Sequence, residues 1–146
     1  MFHGLFVALV TPFTNEGTLD EARLAELVRF HVEAGTNGLV PCATTSENPT
    51  FTDEEWASIV EITVREAGGR LAVVAGCGTN STTRSIANIR RARDLGADGA
   101  MVVTPYYNKP TQEGLYAHFS ALADGGGLPL MLYNVPGRTG VNLAAE

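Results

Sequence analysis

The amino-acid sequence predicts an α/β protein built around a parallel β-sheet. Five short apolar segments alternate with segments whose apolar residues recur at helical spacing, and glycines or helix-capping residues stand at most of the boundaries. Short apolar runs are typical of strands that are covered on both faces, and strand–helix–strand alternation places consecutive strands in parallel. The predicted strands are Leu5–Val10, Gly38–Pro41, Leu71–Ala75, Ala100–Val103 and Leu130–Tyr133.

Four helices are predicted between these strands. The first two each begin with a T-x-x-E capping box, at Thr18–Glu21 and Thr52–Glu55, in which a hydroxyl and a carboxylate satisfy free N–H groups of the first turn. The third helix is capped by Asn80 or Ser81, and the fourth spans Gln112–Ala123 with apolar residues along one face. The predicted order of elements is therefore βαβαβαβαβ over residues 1–146.

The composition argues against several classes of function. The 146-residue chain is 45% hydrophobic and 18% charged, with a formal net charge of −6, and this acidity argues against a nucleic-acid partner. No apolar run approaches the ~20 residues of a membrane span, and the N-terminus lacks the basic region of a signal peptide. Two cysteines make neither a disulfide framework nor a zinc site. We therefore expect a cytoplasmic protein with no metal and no other cofactor.

Two folds fit this order of elements. A five-stranded doubly wound sheet of the flavodoxin type suits the length, whereas a complete (β/α)8 barrel needs about 250 residues. The last strand is followed by Val135–Gly140, and Asn142–Glu146 then resembles the first turn of a fifth helix. A complete doubly wound domain would carry that helix in full. We therefore predict about four and a half βα units of a (β/α)8 barrel, the N-terminal half, incomplete as a single chain.

Polar residues follow the predicted strands at the sheet edge where parallel α/β proteins bind ligands. Thr44 and Thr45 follow the second strand, Tyr107 follows the fourth, and Tyr133 and Arg138 follow the fifth. Hydroxyls beside backbone N–H groups hold carboxylates, an arginine binds a carboxylate through two hydrogen bonds, and a phenol can transfer protons. Taken alone, these residues also fit structural roles: loop hydrogen bonding for the threonines, packing for the tyrosines and a surface ion pair for the arginine.

Three loop segments carry a resemblance to a known family: Thr44–Thr50 (TTSENPT), Val103–Pro110 (VTPYYNKP) and Leu132–Gly140 (LYNVPGRTG). With Gly4–Pro12, they make the whole chain resemble the N-terminal half of the dihydrodipicolinate synthase family, class I pyruvate aldolases that include N-acetylneuraminate lyase. The resemblance implies a (β/α)8 barrel, usually in a homotetramer. It also implies a Schiff-base lyase that condenses pyruvate with aspartate semialdehyde in the diaminopimelate pathway of lysine biosynthesis.

The resemblance further implies roles for individual residues. Tyr133 would relay protons, and Thr44 would link it to Tyr107, which would reach the site of a neighbouring subunit. Thr45, with the backbone beside it, would hold the pyruvate carboxylate, and Arg138 would bind the carboxylate of the second substrate. Some family members are inhibited by lysine at an interface, and the positions that match this allosteric site are Asn48, Trp56, Asn80, Arg84 and Tyr106.

The sequence departs from the family pattern at three points. The family loop reads Gly-Thr-Thr-Gly-Glu-Ser, and here Ala43 and Ser46 replace the glycines. If either position requires a positive φ, the side chain strains the carboxylate site by ~1 kcal/mol or more. Arg84 stands where an acidic residue is expected to meet the amine of the inhibitor, which argues against lysine feedback. The Schiff-base lysine of the family lies on strand six, beyond residue 146, and Lys109 is the only lysine present.

These observations lead to three hypotheses. The first is the N-terminal half of a Schiff-base lyase, inactive alone and completed by a C-terminal half. The second is an assembly module, a half-barrel whose unpaired edge strands associate with a second copy into a homo-oligomer. The third and more distant hypothesis is a flavodoxin-like ligand-binding domain.

Overall fold

The computed structural model describes residues 2–145, which form a single curved sheet covered by helices. The strands are Phe6–Ala8 (β1), Gly38–Val40 (β2), Ala72–Gly76 (β3), Gly99–Val103 (β4) and Leu130–Tyr133 (β5). The helices are Glu21–Glu33 (α1), Asp53–Ala67 (α2), Thr82–Asp94 (α3), Gln112–Gly126 (α4) and the short Pro136–Thr139 (α5), with one 3₁₀ turn at Asn48–Thr50. None of the helices within residues 2–145 is both long and apolar enough to cross a membrane.

The five strands are all parallel and follow one another across the sheet in chain order. This order rules out the flavodoxin-like hypothesis, because a flavodoxin-type sheet places its first strand between the second and the third. Strands that follow chain order, with a helix after each of the first four, are the arrangement of a (β/α)8 barrel. The chain thus forms a half-barrel in which β1 and β5 are the two edges.

The main core lies between the sheet and the helices. Side chains from α1, α2, α3 and α4 are completely buried against the strands, and α1 packs on α2 as α3 packs on α4. Each such aliphatic side chain contributes about 1.5–3 kcal/mol by leaving water. A smaller apolar cluster, formed by Val40, Ala43 and Val74, occupies the opposite face of the sheet.

Two of the predicted helix caps are confirmed. The side chain of Thr52 accepts a hydrogen bond from the Glu55 N–H at 3.1 Å, and the Glu55 carboxylate accepts one from the Thr52 N–H at 2.8 Å, which completes the capping box of α2. Ser81, rather than Asn80, caps α3 through the N–H of Arg84.

The predicted capping box of α1 is wrong. Asp20 is the N-cap, and its carboxylate accepts the Arg23 N–H at 3.0 Å. The Thr18 hydroxyl instead bonds to that of Thr14 at 2.9 Å, inside a tight turn that holds Phe13 beside Leu19. A carboxylate two residues closer to the helix satisfies its first turn more directly, and the turn leaves Thr18 with another partner.

The ends of the half-barrel also differ from expectation. The first strand is shorter than predicted and is not covered on both faces, since Leu5 and Val10 are 65% and 53% exposed at the sheet edge. The turn predicted at Asn142 is not helical; the Asn142 side chain accepts a hydrogen bond from Asn134 at 2.9 Å. A helical turn occurs earlier, at α5, where Pro136 occupies the first turn and suits its fixed φ.

Candidate active site

A cavity of about 570 Å³ opens at the carboxyl ends of β2 to β5. Its inner part is lined by Thr44, Tyr133 and Arg138, three of the residues that the sequence singled out. Its outer part is lined by all five positions that the resemblance assigned to an allosteric site: Asn48, Trp56, Asn80, Arg84 and Tyr106. Thr45 and Tyr107 are not among the lining residues.

The loop after β2 takes its shape from two residues in left-handed conformation, Cys42 with φ 55° and Glu47 with φ 63°. Neither Ala43 nor Ser46 has a positive φ, so the strain expected from these two replacements does not arise. The Ser46 side chain is instead buried, donates to the Leu9 carbonyl at 2.5 Å and accepts the Ala43 N–H at 3.3 Å. The hydroxyl thereby ties the loop to the end of β1.

The Thr44–Thr45 turn presents unused hydrogen-bonding groups. The Glu47 N–H donates to the Thr44 carbonyl at 3.1 Å and closes the turn. Within residues 2–145, neither the backbone N–H groups nor the hydroxyls of Thr44 and Thr45 have a hydrogen-bond partner. Adjacent free N–H and O–H donors in a turn form a natural site for a carboxylate. This favours a ligand role for the turn over simple loop bonding.

Arg138 is held at the cavity by a hydrogen-bonded threonine pair that the sequence analysis missed. It lies on α5, and the neighbouring Thr139 hydroxyl is buried, accepts a bond from Thr104 at 3.2 Å and lies 3.0 Å from the Val141 carbonyl. These contacts fix α5 against the end of β4. Within residues 2–145, Arg138 has no ion-pair partner, so the expected alternative of a surface ion pair is not observed there.

Tyr133 ends β5 and is half-buried, and its carbonyl accepts the Thr104 N–H at 3.0 Å. It shares the cavity wall with Thr44, although no hydrogen bond joins the two side chains. Tyr107 is 89% exposed with φ 71° and is not among the residues that line the cavity of its own chain. The link from Thr44 to Tyr107 is thus not formed within one chain, and it stays a prediction for an assembly.

The outer part of the cavity rests on Trp56, whose indole N–H donates to the buried Gly76 carbonyl at 3.0 Å. The Arg91 guanidinium lies 5.7 Å from the centre of the Trp56 ring, a cation–π distance. Arg84 forms a 3.3 Å ion pair with Asp53. We refer to the cavity-lining residues Asp53, Trp56, Asn80, Arg84, Asn88 and Arg91 as the outer arm. The sequence analysis missed Arg91 because only the tertiary fold brings this residue of α3 to the indole on α2.

The chain's other nucleophilic candidates do not serve this site. Lys109 is exposed and is not part of the cavity wall. Cys42 and Cys77 are free and fully buried, and burial raises the pKa of both thiols, which keeps them protonated and unreactive. Within residues 2–145, no three His, Cys, Asp or Glu side chains are grouped as metal ligands would be.

Comparison with known proteins places this geometry in a family. The model of the dihydrodipicolinate synthetase family matches residues 1–146. The 4-hydroxy-tetrahydrodipicolinate synthases of Geotalea daltonii and Thermomicrobium roseum are 55% and 54% identical over 146 residues, which are 100% of this chain and 50% and 48% of theirs. The chain therefore spans about half the length of these relatives.

Comparison with solved structures leads to the same family. Dihydrodipicolinate synthase from Aquifex aeolicus matches 98% of this chain and 48% of its own, with a TM-score of 0.94 and 46% identity. The chloride-inhibited enzyme from Acinetobacter baumannii, complexed with pyruvate, matches 97% of this chain and 48% of its own, with a TM-score of 0.95 and 50% identity. The enzyme from Cyanidioschyzon merolae with lysine bound matches 97% of this chain and 48% of its own, with a TM-score of 0.93 and 40% identity. By sequence and by fold, this chain belongs to the dihydrodipicolinate synthetase family.

Proposed function

We propose that this chain supplies the first half of a Schiff-base lyase that condenses pyruvate with aspartate semialdehyde in lysine biosynthesis. The observation that carries the proposal is the Thr44–Thr45 turn: its N–H and hydroxyl groups have no hydrogen-bond partner within residues 2–145, and Thr44 lines the cavity that also holds Tyr133 and Arg138. The relatives that share its sequence are named 4-hydroxy-tetrahydrodipicolinate synthases, and one similar structure is complexed with pyruvate.

The proposed roles follow from the chemistry of each group. Thr45 and the backbone N–H groups of the turn hold the pyruvate carboxylate, and Arg138 binds the carboxylate of the second substrate. The ketone carbon of pyruvate is attacked by a lysine amine, water leaves, and an imine remains. Tyr133, through Thr44 and the partner copy's Tyr107, carries the protons that these steps require. A phenol–hydroxyl–phenol path moves protons without admitting bulk water.

The amine for this reaction comes from outside the chain. Lys109 is the only lysine of the sequence and is not part of the cavity wall. We therefore propose that the chain alone is inactive and that a C-terminal half supplies the Schiff-base lysine. Labelled pyruvate and borohydride should leave the isolated chain unlabelled, with Lys109→Arg as the control.

Adding the separately expressed second half of the Geotalea daltonii relative should restore trapping, with the label on the added half. Replacing Arg138 by Gln in this chain should then abolish condensation with aspartate semialdehyde and leave pyruvate trapping intact. Label on Lys109, or no trapping in a mixture shown to have assembled, would refute the proposal.

The assembly hypothesis also has an observation in its favour. The smaller apolar cluster of Val40, Ala43 and Val74 is packed against Phe6, Met101 and Met131, which are only partly buried. Leu132 on the edge strand β5 is 47% exposed. Partly covered apolar faces and unpaired edge strands favour association. Light scattering of the purified chain at micromolar concentration should give a multiple of 15.5 kDa. A monomeric mass would count against self-association and leave the lyase proposal untouched.

The cytoplasmic location and the regulatory role of the positions that match the family's allosteric site stay predictions.

A further inference from the structure

The outer arm gathers cationic side chains at one wall of the cavity. Arg84, Asn88 and Arg91 all lie on α3 and all line the cavity, as residues spaced by four and three positions share a helix face. Trp56 of α2 also lines the cavity, and its ring lies beside the Arg91 guanidinium. The two arginines begin about 10.5 Å apart along the helix axis, at 1.5 Å per residue, so they can contact one small ligand from two sides.

The charge of the cavity wall opposes the charge of the whole chain. The chain carries a formal net charge of −6, but the wall holds Arg84, Arg91 and Arg138 against only Glu47 and Asp53. Asp53 neutralises Arg84 at 3.3 Å, whereas Arg91 has no carboxylate within 4.0 Å among residues 2–145. A cleft lined by one sign of charge concentrates ions of the other sign.

The neighbours of Arg91 favour a carboxylate as its partner. The Trp56 ring orients the guanidinium at 5.7 Å and supplies an apolar surface beside it. The Asn88 amide donates to the Cys77 carbonyl at 3.2 Å, which fixes a neutral polar group on the same wall. A guanidinium binds a carboxylate through two parallel hydrogen bonds, whereas the ammonium of a basic amino acid would be repelled by Arg84 and Arg91.

We propose that the outer arm binds a small organic carboxylate between Arg84 and Arg91, beside the Trp56 ring. This site goes beyond the proposed lyase function, because it uses neither the Thr44–Thr45 turn nor Arg138. The resemblance implies an acidic residue at position 84 that meets the amine of a ligand, whereas Arg84 here would meet an anionic group. Asp53 then limits binding, since it competes with the ligand for Arg84.

The test uses the 146-residue chain and its single tryptophan, Trp56. Succinate should shift Trp56 emission and the indole N–H resonance with a saturating curve. Arg91→Gln should weaken binding about tenfold or more, as expected for loss of a charged hydrogen-bond partner. Asp53→Asn should tighten binding because it frees Arg84. Arg93→Gln is the matched control, since Arg93 pairs with Asp94 outside the cavity.

Arg138→Gln separates this proposal from the lyase function: succinate binding should survive a change that removes the proposed contact to the second substrate. An unsaturated response, an equal response to sodium chloride at the same ionic strength, or saturable binding of L-lysine in place of succinate would each overturn the proposal. So would an unchanged succinate affinity in Arg91→Gln. If that variant does not fold, Asp53→Asn decides, and an affinity equal to or weaker than that of the parent chain refutes the proposal.

Discussion

Ser46 offers the sharpest test of how the candidate site is held in place. Its hydroxyl is buried, donates to the Leu9 carbonyl at 2.5 Å and accepts the Ala43 N–H at 3.3 Å. The replacement Ser46→Ala removes the oxygen but keeps the Cβ atom, so the backbone of the loop is not otherwise disturbed. We expect this variant to be less stable than the parent chain.

The magnitude follows from the two groups that lose their partner. A buried polar group left without a hydrogen bond costs about 1–3 kcal/mol. The Leu9 carbonyl loses a short bond, and the Ala43 N–H loses a long one that counts for less. We therefore expect a loss of about 2–3 kcal/mol in the free energy of unfolding, and a somewhat larger loss for Ser46→Gly, whose unfolded chain has more backbone freedom.

Urea unfolding followed by Trp56 fluorescence measures this change. With a slope of about 1–3 kcal/mol per molar urea, the midpoint should fall by about 1 M. Thr45→Ala is the matched control, because its hydroxyl lies in the same loop without a partner in residues 2–145, and it should change stability by less than about 0.5 kcal/mol. Equal midpoints for Ser46→Ala and Thr45→Ala would refute the assigned role of the buried hydroxyl.

Two further predictions concern stability. Burial lowers the pKa of His118, so protonation favours the unfolded chain: stability should hold above the unfolded pKa of about 6.5 and fall as the pH drops below it. Urea titrations at pH 7.5 and 5.5 measure this loss of stability, which should be smaller in His118→Gln than in the parent chain. An equal loss in the two proteins would contradict the prediction. For the helix starts, Thr52→Ala and Asp20→Ala should each cost about 1 kcal/mol, whereas Thr18→Ala should cost less than about 0.5. Thermal unfolding followed by circular dichroism compares the three variants. A larger loss of stability in Thr18→Ala than in Asp20→Ala would show that Thr18 caps α1 after all.

The order of strands and helices was predictable because each boundary is encoded locally. Apolar runs of strand length, glycines after the helices and the Thr52–Glu55 box act over a few residues. The start of α1 was mispredicted for the same reason: Thr18 and Asp20 are both good caps, and only the turn that pairs Thr18 with Thr14 decides between them. The flavodoxin alternative could be removed only by strand order, which no local pattern specifies.

The inner part of the site was predictable from loop motifs, but its supporting contacts were not. Thr44, Tyr133 and Arg138 follow strand ends, and parallel strands bring those ends together. Ser46 contacts Leu9, which lies 37 positions earlier in the chain, and Arg91 of α3 contacts the Trp56 ring of α2. Both contacts depend on tertiary structure.

Ser46 shows why a departure from a family motif needs a structure before it is interpreted. The sequence suggested a strained side chain in place of a glycine, but the left-handed conformations fall on Cys42 and Glu47 instead. Because position 46 does not need a positive φ, a side chain is tolerated there without strain. The Ser46 hydroxyl then restricts the loop through two hydrogen bonds. A turn that is already ordered loses less entropy when it binds a carboxylate. Ser46 is therefore expected to strengthen the Thr44–Thr45 turn as a binding element, and the unfolding experiment on Ser46→Ala tests whether its hydroxyl holds the loop in place.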